Sequence, residues 1–433
     1  MNSEEICREL ERLKFDGAPL SRLLAGAVEL LHDSNSCFDW TGIYELYPDD
    51  VQAHQQLAGM YESRGERNEA IAEFEIVLQL DPTQSNLIRR IGNLYAVQGE
   101  HDRALEYHER YRDQFPDDYR SYTSLAGVYR AMGEHDRARA AYERALVVEP
   151  DEGSIPGQLA ALESDLGNFD RASEFRDQAL AAARSPQDRY GVYGFDETFH
   201  YRQGQYRALE QDYRRRKETG AEFQNPINRL LNLANSEYLW WAAEAGNEAG
   251  ALRELDRLSA QVSPPFDDLL AAAYMMIYQD LEDAAKTREQ VGRLERVIEA
   301  LGFQALRPFV YQGLGRVAQM GGDCEEAIAN FNEVLEINPN SLTMRLWISR
   351  CQLALGDPEA AEANLLEVLR IIPSLADANY QLALVYEAQG RTEDAIAQLE
   401  AAIEIWKNAD PEFIPAQEAR QKLAELAELQ AAA

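Results

Sequence analysis

The chain has 433 residues, a formal net charge of −33 and an isoelectric point near 4.6. A field of this sign repels phosphate backbones and anionic lipid, so we expect neither nucleic acid nor a membrane surface as a partner. The four cysteines form no CxxC pair and fit neither a zinc site nor a disulfide framework. With no readable signal peptide or membrane-spanning segment, the sequence predicts a cytoplasmic protein.

The first fifty residues lie outside any repeat. Residues 20–32 are predicted to form an amphipathic helix, and residues 37–47, CFDWTGIYELY, a β-strand rich in aromatic and β-branched side chains. This helix followed by DWTGIY resembles the opening of a GAF domain, a small-molecule sensor fold. The resemblance stops where a repeat begins at Val51, so segment 1–50 is a fold remnant, a fusion leader or an N-terminal cap.

From Val51 onward the sequence repeats every 34 residues. Repeat position 1 falls at Val51, Ser85, Tyr119 and Gly153, and again at Pro308, Leu342 and Ala376. Each unit has Gly at position 15 and Ala at position 20, and most have Pro at position 32. The glycines are Gly65, Gly99, Gly133, Gly167, Gly322, Gly356 and Gly390. A fixed period of this length predicts a solenoid of helix–turn–helix units.

Within each unit, positions 4, 7, 8 and 11 share one helical face, which is the pattern of an amphipathic helix. Small residues at positions 8 and 20 allow two helices to approach closely. These residues resemble the tetratricopeptide-repeat (TPR) signature. The resemblance implies an all-α, right-handed TPR solenoid of antiparallel helix hairpins, with a short non-repeat N-terminal segment. It also implies a concave groove that binds protein segments.

The repeats divide the chain into regions. Residues 51–184 contain four TPR units, residues 308–407 contain three, and residues 411–433 are predicted to form a C-terminal capping helix. Because Gly167 and Gly322 are 155 residues apart, which is not a multiple of 34, residues 185–307 are predicted to be degenerate TPR-like hairpins. Their aromatic residues, centred on Trp240 and Trp241, serve either helix packing or a specialised binding surface.

In TPR proteins, positions 2, 5, 6, 9, 12 and 13 of the first helix face the groove. On this basis the predicted groove residues are Asn86, Arg89, Arg90, Asn93, Arg120, Thr123, Ser124, Arg130, Gln312, Arg316, Trp347, Arg350 and Tyr380. Arginine can bind carboxylate through two N–H groups, and asparagine can pair with a peptide backbone, so acidic or C-terminal peptide segments are the expected partners. Alternatively, these arginines pair with Asp and Glu of neighbouring repeats.

The sequence contains no recognisable nucleotide-binding loop, catalytic motif or metal-ligand cluster. We therefore expect a non-catalytic scaffold or adaptor without a cofactor. Two other functions remain open: an accessory part or remnant of a GAF-type sensor, signalling or enzyme system, and a structural homo-oligomer.

Overall fold

A computed structural model describes residues 50–221, 233–234, 236, 238–239, 247–261, 266–301 and 304–432. The predicted helix 20–32, the GAF-like strand 37–47 and the Trp240–Trp241 pair lie outside these residues. Every regular element that the structure describes is a helix. The predicted all-α solenoid of helix hairpins is confirmed.

The described residues form twenty α-helices. The first eight are α1 Val51–Arg64, α2 Arg67–Leu80, α3 Ser85–Val97, α4 His101–Gln114, α5 Tyr119–Ala131, α6 His135–Val148, α7 Ser154–Asp165 and α8 Phe169–Ala182. The next five are α9 Pro186–Arg202, α10 Tyr206–Gly220, α11 Glu248–Ser259, α12 Ala271–Asp280 and α13 Ala284–Leu301. The last seven are α14 Arg307–Met320, α15 Cys324–Ile337, α16 Leu342–Ala354, α17 Pro358–Ile371, α18 Ala376–Ala388, α19 Thr392–Ile405 and α20 Ile414–Ala432.

Helices pair through the small residues of the repeat. Ala104, Ala138 and Ala172, all at position 20, are completely buried. In the hairpin of α5 and α6, Ala138 packs in one cluster with Leu125, and Tyr142 lies in the same cluster. A side chain larger than a methyl group would separate the two helices, which is why the sequence repeats alanine there.

A glycine with positive φ ends the first helix of most hairpins, whereas Glu282, with φ +53°, takes this place between α12 and α13. Gly133 has φ +69°, a left-handed conformation that side chains disfavour, and its N–H donates to the carbonyl of Arg130 at 3.0 Å. A Cβ at this position would also lie 2.5 Å from the carbonyl oxygen of Arg370. Gly133 therefore serves both the turn and a close contact with a distant part of the chain.

The chain divides into two compact units, residues 1–87 and 88–433. In the first, the hairpin of α1 and α2 buries Leu57, Phe74 and Val77.

In the second unit, turns of the early hairpins contact loops far along the sequence. Asn340 Nδ2 donates to the carbonyl of Ala96 at 2.9 Å, and Ser374 Oγ donates to that of Ser164 at 2.6 Å. The two arrays of this unit thus stabilise each other.

His108 occupies the slot that other repeats fill with an aromatic residue or leucine. Its side chain is buried, and a Cβ on Gly92 would lie 2.6 Å from its ring. Burial, and to a lesser extent the nearby charge of Arg89, lower the pKa of His108 to about 4. The imidazole is therefore neutral at pH 7 and packs as an aromatic ring, with glycine opposite to make room.

Candidate functional site

The predicted groove residues of the early repeats have mixed surroundings. Asn86 lies in the N-terminal unit and is exposed, while Arg90 and Asn93 are exposed in the second unit. Arg89 is half-buried. On α5, Thr123 and Ser124 are half-buried, and Thr123 Oγ1 donates to the carbonyl of Arg120 at 3.5 Å.

Two of the early groove arginines have carboxylate partners. Arg120 Nε lies 3.3 Å from Asp118 Oδ1 at the start of its own helix. Arg130 Nε donates to Asp165 Oδ2 at 2.6 Å, and Asp165 also accepts from Arg202 at 2.9 Å. Since Asp165 is only 1% exposed, Arg130 and Arg202 neutralise a buried charge. Arg130 therefore braces α5 against α7, which is the alternative left open by the sequence.

The fourth repeat departs from the signature because it, too, pairs a buried acid with arginine. Glu163 replaces the usual tyrosine and is completely buried. It accepts hydrogen bonds from Arg139 at 2.8 Å and Asn168 at 2.7 Å, and Arg171 lies 3.4 Å away. Burial alone would raise the pKa of Glu163, but these partners hold it below its usual value. The early repeats thus use arginine to neutralise buried acids.

The groove of the later repeats has different electrostatics. Arg316 on α14 and Arg350 on α16 both occupy repeat position 9, and within the described part of the chain neither has a carboxylate within 4.0 Å. Arg316 Nη2 donates to the carbonyl of Gln279 at 3.1 Å, and its guanidinium lies 5.2 Å from the centre of the Trp347 ring. Burial and the like charge of Arg350 lower the pKa of Arg316. Both arginines thus lack a carboxylate in direct contact among the described residues, although Asp280 and Glu282 act on Arg316, and Asp377 on Arg350, from a greater distance.

Buried donors beside Arg316 have no acceptor. Arg316 Nε and Gln279 Nε2 are both buried without a hydrogen-bond partner, and Gln279 is only 1% exposed. Gln312 Nε2 donates to Gln279 Oε1 at 3.3 Å. The oxygen of the Gln279 amide is therefore satisfied, and its nitrogen is the atom without a partner. A buried donor without an acceptor is costly and calls for a ligand or other specific explanation.

Arg350 and Tyr380 continue this surface along the repeats. The amide oxygen of Gln381 faces Arg350 and accepts from Arg350 Nε at 2.9 Å and from Arg350 Nη2 at 3.0 Å. The amide nitrogen of Gln381 donates to the carbonyl of Leu346. Tyr380 is half-buried, with its ring 6.5 Å from that of Trp406. The later groove thus combines two arginines, a tryptophan and a tyrosine.

Of the thirteen predicted groove residues, the structure brings Gln312, Arg316 and Trp347 together, with Arg350 close enough to lower the pKa of Arg316. Gln279 was not predicted, because it lies on α12 in the region where the 34-residue period is lost. Nothing in the sequence alone marks it.

Among the residues that the structure describes, no group of three or more His, Cys, Asp or Glu side chains could hold a metal ion. Within the same residues, no helix has the length and apolar content needed to cross a bilayer.

Family models match the chain in three places, all described as tetratricopeptide repeat: residues 83–147, 320–374 and 376–406. These matches cover α3 to α6 of the first array and α15 to α19 of the second. The chain carries tetratricopeptide repeats. TPR units are protein-interaction modules, so the chain is a protein–protein interaction scaffold.

Three solved structures are similar to this TPR chain. The TPR domain of P58(IPK) shares 16% identity over 80% of this chain and 99% of its own, with a TM-score of 0.27. MamA shares 21% identity over 40% of this chain and 93% of its own, with a TM-score of 0.30. Yeast Tom70 shares 10% identity over 90% of this chain and 97% of its own, with a TM-score of 0.37. No curated protein matches this chain.

Proposed function

We propose that this TPR scaffold binds acidic peptide segments in its groove, and that Arg316 and Arg350 hold the carboxylates of the partner. One observation carries the proposal. Two arginines at the same position of adjacent repeats have no carboxylate within 4.0 Å among the described residues, and buried donors that lack acceptors lie beside them. A carboxylate at this surface would pair with the exposed guanidinium of Arg350 and the accessible part of Arg316.

The net charge of −33 opposes an acidic ligand at long range. Salt screens such repulsion beyond about 8–10 Å at physiological ionic strength, whereas a guanidinium and a carboxylate in contact are screened much less. Recognition must therefore come from short-range contacts at the two arginines. The ring of Trp347, held beside Arg316, offers a face for an apolar group of the same segment.

We further propose that the scaffold acts without catalysis in a reducing compartment such as the cytoplasm. Cys324 and Cys351, the two described cysteines, are buried free thiols. Burial, with Cys324 as neighbour, raises the pKa of Cys351 to about 12, so this thiol stays protonated and unreactive at pH 7.

Fluorescence anisotropy with defined peptides tests the groove. The probes are ten-residue Gly/Ser peptides with two central Asp residues, and matched peptides with two Lys or two Asn. We expect the Asp peptide alone to bind, with affinity falling as salt rises. Arg316→Gln and Arg350→Gln should each weaken binding about tenfold, the loss expected for one charge-assisted hydrogen bond.

Arg307→Gln is the matched control, because Arg307 is an exposed arginine at the start of the same helix, α14. It makes the same change in net charge and should alter affinity less than twofold. Equal losses in Arg307→Gln and Arg316→Gln would show only a general charge effect. Binding that does not distinguish Asp from Asn would overturn the proposal.

A further inference from the structure

In the second unit, turns of the early hairpins meet loops of the later repeats along a row of contacts, which we call the seam. A Cβ added to any of four turn glycines would lie within 4 Å of a residue far along the sequence. The pairs are Gly99 with Pro339, Gly133 with Arg370, Gly167 with Ser374 and Gly204 with Phe413. The seam therefore joins parts of the chain that share no hairpin, and its two ends differ in chemistry.

The end of the seam around Gly204 is apolar and buried. Trp406, directly after α19, is 1% exposed, and its Nε1 donates to the carbonyl of Arg202 at 3.2 Å. Trp406 and Phe413 share a hydrophobic cluster with Leu209 of α10. Separating these side chains would return apolar surface to water, at about 25 cal/mol per Å². This apolar end is therefore the part of the seam that resists opening.

The other end of the seam is polar and partly exposed. His101 Nε2 lies 3.3 Å from Asn340 Oδ1, and Asn340 Nδ2 donates to the carbonyl of Ala96 at 2.9 Å. The amide oxygen of Asn340 can only accept, so His101 Nε2 is the donor. His135 Nε2 lies 3.1 Å from the carbonyl oxygen of Arg370 and donates for the same reason. Such hydrogen bonds contribute only about 1 kcal/mol each, so this polar end is the weaker one.

Both histidines occupy repeat position 17. They belong to two copies of the sequence GEHDRA, at residues 99–104 and 133–138. The later array has Cys324, Pro358 and Thr392 at this position, so the fold of the hairpin does not require histidine there. Histidine recurs in two adjacent units whose turns form the polar end, which indicates a role in the seam.

Protonation of these histidines would place positive charge beside Arg370. Burial lowers the pKa of His101, Asp102 opposes this shift, and the guanidinium of Arg370 adds to it. A Cβ on Gly133, two residues before His135, would lie 2.8 Å from Arg370 Nη1, so the guanidinium lies at this turn as well. His135 Nδ1 is buried without a hydrogen-bond partner. In the closed seam an added proton thus meets a like charge and, at His135, no acceptor.

The other charged side chains around the polar end form ion pairs with one another. The pairs are Glu100 with Arg103, Glu134 with Arg137, Asp136 with Arg139, and Glu367 with Arg370. Glu134 also attracts Arg370. Asp102 attracts protonated His101, but burial and Arg370 outweigh it, because the pKa of His101 is lowered overall. These acids therefore do not neutralise charge added at the seam.

We propose that the seam is a pH-dependent latch. Neutral His101 and His135 hold the polar end closed, and their protonation opens that end while the apolar end stays closed as a hinge. The closed state is favoured at pH 7 and loses stability as the pH falls below about 6.5, where an ordinary histidine takes up a proton. The sign follows because the open state binds the added protons more tightly than the closed state. The latch does not depend on what the groove binds, so it stands or fails separately from the proposed function.

Fluorescence energy transfer between two labels measures opening in solution without a peptide. One label pair spans the polar end, on Glu106→Cys of α4 and Asn332→Cys of α15. A second pair spans the apolar end, on Gln211→Cys of α10 and Gln421→Cys of α20. All four side chains are exposed. Cys7→Ser and Cys37→Ser in the full chain leave only two buried cysteines besides the labelled sites.

Between pH 7.5 and pH 5.5 we expect energy transfer across the polar end to fall and that across the apolar end to stay constant. The closed-to-open ratio should fall about tenfold for each pKa unit by which closure disfavours protonation. No change across the polar end, with an unchanged circular dichroism spectrum, would overturn the proposal. Equal losses across both ends would also overturn it, because the apolar end would then not be a hinge.

Glutamine tests whether the histidines are responsible, because it keeps an N–H donor and does not titrate. The double variant His101→Gln, His135→Gln should stay closed at both pH values. His54→Gln is the matched control, since His54 lies in the N-terminal unit and contacts Glu73, and it should keep the response of the parent. A pH response that survives in the double variant would mean that other groups open the seam and that the proposal is wrong.

Lysine gives a test that needs no acid. His135→Lys has a donor and a positive charge at every pH used, whereas His135→Gln is neutral. We expect His135→Lys to be open at pH 7.5 and His135→Gln to be closed. If both keep the helical spectrum and give the same energy transfer, charge does not operate the latch.

Arg370→Gln distinguishes repulsion from simple bracing. It removes the guanidinium but keeps the backbone carbonyl that His135 contacts. With the like charge gone, the closed state tolerates the added protons better, so opening should need a lower pH than in the parent. If Arg370 only braces the seam, the variant will instead open more readily, already at pH 7.5, and the repulsive mechanism is overturned.

Discussion

Arg130 and Arg316 are both groove arginines on first helices of TPR units, yet their surroundings are opposite. Arg130 lies against the buried carboxylate of Asp165, which a second arginine, Arg202, also contacts. Arg316 lies against carbonyl and amide groups and the ring of Trp347, and burial lowers its pKa. The repeat determines where a groove side chain lies. The neighbouring units determine whether an arginine there pairs with a carboxylate of the same chain or is available to a partner.

The largest expected effect is at the centre of the braced region. Asp165→Ala removes the buried carboxylate and leaves Arg130 and Arg202 without it, so we expect the free energy of unfolding to fall by about 3–5 kcal/mol. Chemical denaturation measures this change. Asp177→Ala is the control, because Asp177 on α8 is exposed and pairs only at the surface, and it should cost less than about 1 kcal/mol. Equal losses would mean that Asp165 does not brace the early repeats.

The hairpin contact itself should be the next most sensitive feature. Ala138→Leu inserts a larger side chain where α5 and α6 touch, and overpacking should lower the free energy of unfolding by about 1–3 kcal/mol. Ala140→Leu, two residues along the same helix on its exposed side, should leave the melting temperature nearly unchanged. An unchanged melting temperature in Ala138→Leu would contradict the repeat register.

Asp196 sharpens the comparison, because it is a buried acid whose neutralisation is incomplete. It is 2% exposed, Arg176 lies 3.4 Å away, and its Oδ2 has no hydrogen-bond partner. Burial raises the pKa of Asp196 from 3.8 to about 6, although Arg176, His200 and Arg215 oppose the shift and Asp212 adds to it. The folded state therefore binds this proton more tightly than the unfolded state, and ionised Asp196 destabilises the fold above pH 6.

Asp196→Asn should accordingly stabilise the protein at pH 7 by about 1–3 kcal/mol, at 1.36 kcal/mol per pKa unit. The gain should shrink as the pH falls through 6 and vanish near pH 4, where the parent carboxyl is protonated. Asp188→Asn, at the start of the same helix, is the opposite control: hydrogen bonds from the Arg184 and Ser185 backbone lower the pKa of Asp188. Denaturation at several pH values distinguishes the two, and a loss of stability in Asp196→Asn at pH 7 would contradict the assignment.

The sequence predicts the hairpins well, because their determinants are local. The period places Ala104 and Ala138 at helix contacts and Gly133 at a turn, and the structure buries or bends each accordingly. The sequence does not reveal which arginines pair with a carboxylate, because Asp165 and Arg202 approach Arg130 only in the folded chain.

The middle region is predicted to be out of phase because Gly167 and Gly322 are 155 residues apart, which is not a multiple of 34. In the structure, Gly157 and Gly191, 34 residues apart, both lie inside first helices, and the next turn is delayed because α9 has 17 residues where α7 has 12. The recurrence of Gly157 as Gly191, two glycines inside helices, is a signal that the sequence does contain.

The most direct test of the central claim compares Arg316→Met with Arg130→Met in one denaturation series, with binding of the diaspartate peptide measured alongside. Arg316→Met should keep or raise the free energy of unfolding, because it removes a buried charge with no carboxylate in direct contact, and should weaken peptide binding about tenfold. Arg130→Met should lower that free energy by about 1–3 kcal/mol, less than a fully broken buried pair because Arg202 remains, and should leave binding intact. If Arg316→Met instead destabilises the protein as much as Arg130→Met and still binds the peptide, Arg316 is a structural brace and the account is contradicted.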